Sequence, residues 1–398
     1  MASGFLQLAA FCIGLFVVQG LAALPWLYVL SRRPLREQLP LLGGVVAAVC
    51  VVFLVIVNQY SDAAVLARAG RIYAATLQVQ LILDALVLLF WLLLTLWPKG
   101  GAVALAAFQE GVRQPMFWLL TILGSFVMII SVFIPYFTFG EDLKMVKELC
   151  YAFTMLGPAI FGVVAACMSV TEEIEGRTAV TLMSKPISRR QFLLGKFVGI
   201  SSAALFMTAL LGWVLVWVFL YKSWYDSGNP AAQVDTSEPG WVLTLVGDIP
   251  ALAQTTTGDL VRGILLWVND AGAALPGLVI GFCQVAVLTA VAVALATRIP
   301  MVVNLTMCLL VYLLGHLTPI MTEVSRHQYP LVSFVAQLFE TIFPGLDLFD
   351  VGSSIIRDLP LDPVGYSVYT LNVALYALTY TAIALLAGLI LFEDRDLA

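Results

Sequence analysis

Apolar runs of about 20 residues recur along the whole chain, and this recurrence limits the fold more than any other feature. A helix of that length crosses the hydrocarbon of a bilayer while satisfying its own backbone hydrogen bonds, where no water can do so. The runs predict nine spans, at approximately 5–30, 41–57, 77–97, 117–139, 151–170, 198–221, 273–297, 301–320 and 371–392. Composition agrees: 61% of the 398 residues are hydrophobic and 11% are charged, against about 25% charged in soluble domains. A soluble protein with a large core is excluded on that ground. A transmembrane barrel would show short alternating segments instead. The fold class is an all-α polytopic membrane protein of about nine transmembrane helices.

Lysine and arginine set the orientation. The connections 31–40, 98–116, 171–197, the turn at 298 and the tail after 392 hold 12 of the 20 basic residues. The connections 58–76, 140–150, 222–272 and 321–370 hold the other eight on about twice the length, so basic density differs about threefold. The first set is therefore expected on the cytoplasmic side, with the N-terminus outside and the C-terminus inside. Acids including Glu141, Asp142, Asp226, Asp235, Glu238, Asp259 and Asp270 fall on the outer set. The start, Met1-Ala-Ser-Gly-Phe5, has no basic region before its apolar run, so that run is expected to be a permanent span. A net charge of −5 without a basic tail leaves no electrostatic footprint for nucleic acid. The six cysteines sit in or beside apolar runs with no C-x-x-C pair, and read as small buried hydrophobes.

Between the spans, 99–116 reads as an amphipathic helix in the cytoplasmic interface. Ala104, Leu105, Phe108 and Val112 recur at helical spacing, Gln109, Glu110 and Arg113 lie on another side, and Pro115 turns the chain into the membrane. Of the two long outer loops, the first carries apolar pieces at 241–246 and 260–267 that suit short surface helices. The second is broken by Glu340, Pro344 and Asp347, and reads as a surface or re-entrant element over 334–349.

The segment 169–197 is densely charged yet helix-patterned. Ser169 and Glu172 have capping-box spacing, which suggests a helix end or restart there. Glu172, Glu173 and Glu175 crowd the first turn, where the helix dipole favours acids, and Glu173 precedes Arg177 by four residues. Gly176 weakens the helix, Leu182 and Met183 present apolar surface, and Lys185-Pro186 ends the element. Ser188 and Gln191 form a second capping box that opens the next span. The pattern is that of a short helix, a break and a new helix outside the bilayer, suited to docking on another protein. A solvated loop that only sets topology would carry the same charges.

The order Glu172-Glu173-x-Glu175-Gly176-x-Thr178, then Leu182-Met183-Ser184-Lys185-Pro186-Ile187-Ser188-Arg189-Arg190, then Leu194-Gly195-Lys196, resembles the cytoplasmic loop of type-2 ABC exporter permeases. In that family the pattern runs E-E-x-x-x-G-T, L-L-S-x-P-[VI]-S-R-R, L-G-K, and Arg177 between Gly176 and Thr178 is a mild departure. The helix with Glu110 and Arg113-Gln-Pro-Met-Phe117 resembles the family's elbow, and Ile390-Leu-Phe-Glu-Asp-Arg-Asp-Leu397 its usual close. The resemblance covers about residues 99–398 and implies a six-span permease bundle, leaving 1–98 as a three-span extension of unassigned role. It implies that 171–197 is a coupling segment that docks on a separate ABC ATPase subunit. It also implies a second permease subunit, as homodimer or heterodimer. Glu172, Glu173, Glu175, Gly176, Thr178, Leu182, Pro186, Arg189 and Arg190 are the expected partner-contacting or hinge residues. The chain has no G-x-x-x-x-G-K-[ST], so ATP and magnesium are expected on the partner and this subunit is expected to be non-catalytic.

Two other readings stay open. Asp84, among leucines in the third span, suits a proton-coupled carrier or a hydrogen-bonded acid at a helix contact. An ATP-independent envelope assembly protein would share the fold. His316 and His327 with Glu323 read as polar anchors before a metal site. Asn304 and Gln284 are placed to bond neighbouring helices, and Trp26, Trp97, Trp118 and Trp241 lie near span ends. No G-x-S-x-G or H-E-x-x-H is present. The spans hold no charged chamber, which favours a lipid-like or hydrophobic cargo.

Overall fold

The structure, a computed structural model, describes residues 62–134, 136, 142–175, 187–227, 239–248, 255–325, 334, 343–350 and 363–393, with scattered positions between 14 and 59. The described elements are helical, with no strand among the described residues. In chain order they are α1 (Ala63–Leu96), α2 (Pro98–Arg113), α3 (Pro115–Ser131), α4 (Asp142–Glu175), α5 (Arg189–Asp226), α6 (Gly240–Asp248), α7 (Thr256–Ala296), α8 (Met301–Ser325), a 3-10 turn (Leu346–Phe349) and α9 (Pro363–Glu393). Among the described residues five helices are long and apolar enough to cross a membrane, or six if the bent pair α2–α3 forms one span. The apolar part of α8, Met301–Leu317, is shorter. The expected spans at 5–30 and 41–57 lie largely outside the described residues, so the expected count of nine is not established.

Several boundaries move. α1, α4 and α7 begin well before the expected spans at 77, 151 and 273, so much of the expected outer loops 58–76, 140–150 and 222–272 is helix. The 38 residues of α5 make a rod of about 57 Å, against roughly 30 Å of hydrocarbon. These helices carry their charged ends beyond the bilayer without a break. The same continuity overturns the expected end or restart at Ser169: α4 runs unbroken to Glu175. Ser169 spends its hydroxyl on tertiary partners, Glu110 and Lys196, and not on a helix cap. The second capping box is real, with the Ser188 side chain accepting from the Gln191 amide and the Gln191 side chain accepting from the Ser188 amide.

The chain divides into two compact units, Met1–Leu92 with Val234–Ala273, and Leu93–Gln233 with Ala274–Ala398. In the first, α1 and the opening turns of α7 meet through glycine. A side chain at Gly70 would strike the Leu260 carbonyl, and one at Gly263 the Ala67 carbonyl. Small residues allow such backbone approach between helices in lipid. Trp267 Nε1 donates to Gln78 Oε1 at 2.8 Å, and Gln19 bridges Tyr73 and Gln80. Leu260 and Trp267 are buried by this packing. The expected surface helix at 260–267 is therefore the start of α7, whereas the one at 241–246 is α6.

In the second unit α5 is the hub, with α2, α3, α4 and α9 packed on it. The elbow is present. α2 and α3 meet at an angle of 58°. Gln114 joins them with φ −64° and ψ 132°, the extended backbone that a following proline imposes on its predecessor. The buried face of α2 is made of Gly100, Gly101, Val103, Ala104, Ala107 and Gly111; of the expected stripe Ala104 lies on it, while Leu105, Phe108 and Val112 are half-buried at its edge, with Phe108 6.5 Å from Phe206 between ring centres. Small residues win because α2 lies directly on α5. A Cβ on Gly195 would come within 2.8 Å of the Val103 Cβ, and one on Gly199 within 2.7 Å of the Ala107 Cβ. Below the elbow, Phe117 stacks on Phe206 at 5.8 Å and meets Phe161 edge-on at 5.4 Å. α7 reaches α4 and α5 through Gly162, Gly212, Gly277 and Gly281, each facing a side chain of a neighbouring helix. Asn304 on α8 donates to the Ala292 carbonyl on α7 at 3.0 Å.

The ends of the bundle are stitched by charge. At one end the buried Lys222 sits 3.0 Å from Asp226 and 3.9 Å from Asp142, which draws α5 to the start of α4. At the other, Val170, Phe192, Ala296 and Phe392 form one apolar cluster where α4, α5, α7 and α9 converge, with Ile187 against it. The 3-10 turn folds back on α8, where Leu346 meets Gly315 and the Gly345 amide donates to the Tyr376 hydroxyl at 3.0 Å. The described part of 334–349 is thus docked on the bundle.

Replacing Gly199 by Val is expected to lower the melting temperature of the detergent-purified protein, at a cost of about 1–3 kcal/mol from overpacking against α2. Gly272→Ala, where nothing lies within 4 Å, is expected to leave it unchanged. Thermal unfolding of both variants checks the α2–α5 contact.

Candidate functional site

Gly195-Lys196-Phe197-Val198-Gly199 places a lysine between the two glycines that receive α2. The close approach that the glycines permit buries Lys196, which is 4% exposed. An ammonium so placed must be paired and hydrogen-bonded. Lys196 Nζ donates to Glu173 Oε1 at 2.6 Å, to Ser169 Oγ at 2.8 Å and to Glu110 Oε2 at 3.3 Å. Ser169 Oγ in turn donates to Glu110 Oε2 at 3.2 Å. An ammonium has three hydrogens, and here each has an acceptor. The cluster joins the elbow helix α2, the last turns of α4 and the first turns of α5. The chain leaves α4 at Glu175 and re-enters the described structure at Ile187, so the lysine clamps both stems of the segment between them.

Arg189 and Arg298 form a second set. The Arg189 guanidinium donates to the carbonyls of Phe392 and Glu393, both at 2.8 Å, and lies 5.6 Å from the centre of the Phe392 ring. Arg298 Nε donates to the Leu391 carbonyl at 2.7 Å. The last carbonyls of a helix lack intrahelical partners and carry its negative end. Two arginines satisfy them here and tie α9 to the start of α5 and to the α7–α8 turn.

Of the expected site residues, Glu173 enters the clamp and Arg189 caps α9. Arg190 is exposed beside them, on a groove of about 410 Å³ lined also by Ser188, Leu386 and Glu393. Glu172 and Glu175 lie on the last turn of α4, with side chains outside the described residues. Gly176, Thr178, Leu182 and Pro186 are outside the described residues altogether. Asp84 is buried in the first unit, at 4% exposure on α1. His316 engages the Tyr312 carbonyl at 3.0 Å, and His327 is outside the described residues. Among the described residues no group of His, Cys, Asp and Glu could hold a metal ion. Lys196, Ser169 and Glu110, each part of a sequence pattern, were not among the expected site residues. A lysine between two glycines at helical spacing, at the edge of an apolar span, was the available signal.

A family model described as ABC-2 family transporter protein matches residues 102–397, about three quarters of the chain. The chain belongs to the ABC-2 transporter family. The match begins in α2 and runs through the clamp, the segment 176–186 and α9. This ABC-2 protein is therefore a multi-pass membrane permease of an ABC transporter, a transport component whose family implies association with an ABC ATPase subunit. No curated relative matches it.

Replacing Lys196 by Met leaves Glu173 and Ser169 without their cation, and is expected to cost roughly 1–3 kcal/mol. Adding Glu173→Gln and Glu110→Gln to Lys196→Met is expected to recover part of that loss. Thermal unfolding of the three-residue series measures the coupling.

Proposed function

We propose that this permease moves substrate outward across the cytoplasmic membrane, driven by ATP that a separate ATPase subunit hydrolyses. It works with a second permease subunit, as homodimer or heterodimer. ATP and magnesium belong to the partner, and the chain binds neither. The observation that carries this reading is the clamp at Lys196. A partner that pushes on residues 176–186 loads the ends of α4 and α5, and the hydrogen bonds of Lys196 and Ser169 to Glu110 pass that load to the elbow α2. A ligand-driven shift requires different contacts with two states of the machine, and a stiffly anchored lever supplies a surface on which they can differ. Glu172, Glu175, Gly176, Thr178, Leu182, Pro186 and Arg190 are the proposed contacts and hinge of that lever. Glu173 and Arg189 hold its stems.

In this reading the end of the bundle that carries Arg189, Arg298 and the clamp faces the cytoplasm, where the C-terminus also lies, with the N-terminus outside. Residues 1–98 are a three-span extension that precedes the permease domain 99–398 in the chain. The expected result in vesicles is ATP-dependent transport that Leu182→Asp with Arg190→Glu reduces at least tenfold without changing the amount of permease in the membrane. Affinity purification of the intact permease is expected to retain an ABC ATPase, and those substitutions are expected to release it. Recovery of the permease with no ATPase, or full transport by the double variant, would overturn the proposal.

A further inference from the structure

The groove beside Arg190 has two unlike walls, both within the second unit. One is the opening of α5, with Ser188, Arg189 and Arg190, and the other is the end of α9, with Leu386, Leu389, Ile390 and Glu393. The bonds from Arg189 to the Phe392 and Glu393 carbonyls hold the walls together. Among the described residues neither the Arg190 guanidinium nor the Glu393 carboxylate has a hydrogen-bond or ion-pair partner, and the two do not pair with each other. Both residues are exposed. The Ser188 hydroxyl accepts from the Gln191 amide, which leaves its own hydrogen to give. One volume of about 410 Å³ thus offers an unpaired cation, an unpaired anion and a hydroxyl donor.

Away from these charges the α9 wall is apolar. Leu378, Ala382, Leu386 and Ile390 recur every fourth residue, and Leu378, Leu386 and Ile390 are 65%, 60% and 64% exposed. From Leu378 to Ile390 this stripe runs about 18 Å along the helix, slightly more than half of a hydrocarbon core of about 30 Å. Glu393 stands one turn beyond it. The stripe has the length of an acyl chain's path through one leaflet, and the charged groups stand where that leaflet's headgroups lie.

We propose that this groove binds a phospholipid whose headgroup ends in a primary amine. Its phosphate meets Arg190 and Ser188, its ammonium meets Glu393, and one acyl chain follows the α9 stripe. A guanidinium fork matches the geometry of phosphate oxygens. A primary ammonium supplies the N–H donors that a carboxylate, being only an acceptor, requires. A choline head carries the same charges but has no N–H for Glu393, and an anionic lipid leaves Glu393 without a counter-charge. The proposal goes beyond the transport reading and takes from it only that this end of the bundle faces a leaflet surface. Arg190 also belongs to the proposed lever, so the bound lipid lies at the lever's stem.

The test is native mass spectrometry of the delipidated full chain in detergent, titrated with dioleoyl phosphatidylethanolamine, phosphatidylcholine or phosphatidylglycerol. One ethanolamine lipid is expected to bind about tenfold more tightly than either of the others, the effect of one charge-assisted hydrogen bond. Glu393→Ala is expected to bring the ethanolamine and choline lipids to the same affinity. Arg190→Ala is expected to weaken both by about tenfold, through loss of the phosphate contact. Both side chains are exposed and make no protein contact of this kind, so thermal unfolding of the lipid-free variants is expected to match that of the native chain. Gly272→Ala is the control expected to bind as the native chain does. Equal binding of the three lipids, or an ethanolamine preference that survives Glu393→Ala, overturns the proposal. So does a disulfide between copies carrying Ile390→Cys with no lipid bound, which makes the groove a contact between subunits. The assay contains no ATPase, so its failure leaves the ATPase pairing standing, and loss of ATPase co-purification leaves the lipid preference standing.

Discussion

The second unit depends on one ammonium group. From α5, Lys196 Nζ gives hydrogen bonds to acceptors on two other helices, Glu110 on α2 and Ser169 and Glu173 on α4, only if all three helices keep their positions together. A buried charge that loses one partner is left poorly solvated, so displacement of any one helix is resisted by the desolvation of the rest. The neighbouring glycines set the terms of this arrangement. Gly195 and Gly199 bring α2 close enough to bury the Lys196 side chain, while Glu110 and Glu173 keep part of their surface exposed. Packing and electrostatics here are one device.

The same logic closes the rest of that end. Carbonyls 391, 392 and 393 of α9 would be unsatisfied at a free helix terminus, and Arg189 and Arg298 reach them from two other elements. Phe392 lies within the apolar cluster beneath them, so the polar contacts are backed by packing. At the far end Lys222 with Asp226 and Asp142 fastens α5 to α4. The middle of the bundle is held by aromatic and glycine contacts that need no charge, as befits the level of the hydrocarbon. A permease built this way is stiff where a partner would push.

Much of this was legible in the residues. Apolar runs located the cores of the long helices, the Ser188–Gln191 pair marked the start of α5, and Pro115 marked the elbow. The segment 169–197 stood out because charge is scarce elsewhere. Helix ends were less visible, because hydropathy reports the bilayer and not the helix. Residues 142–150 read as loop and 260–267 as a separate surface helix, yet they continue α4 and α7. The partners of Lys196 were hidden for another reason. Glu110 and Ser169 lie 86 and 27 residues away from it, and only the fold brings them together. Ser169 also matched a capping box, and a local pattern outranked a tertiary one until the continuous helix was seen.

The central claim is that Lys196 makes the elbow and the two stems one rigid piece. Electron–electron distance measurement between spin labels at Gln109 on α2 and Arg190 at the start of α5, both exposed, tests it most directly. The account predicts a single narrow distance in the otherwise native protein in nanodiscs, and a broad distribution once Lys196 is Met. A distribution equally narrow in both, or broad in both, would contradict it.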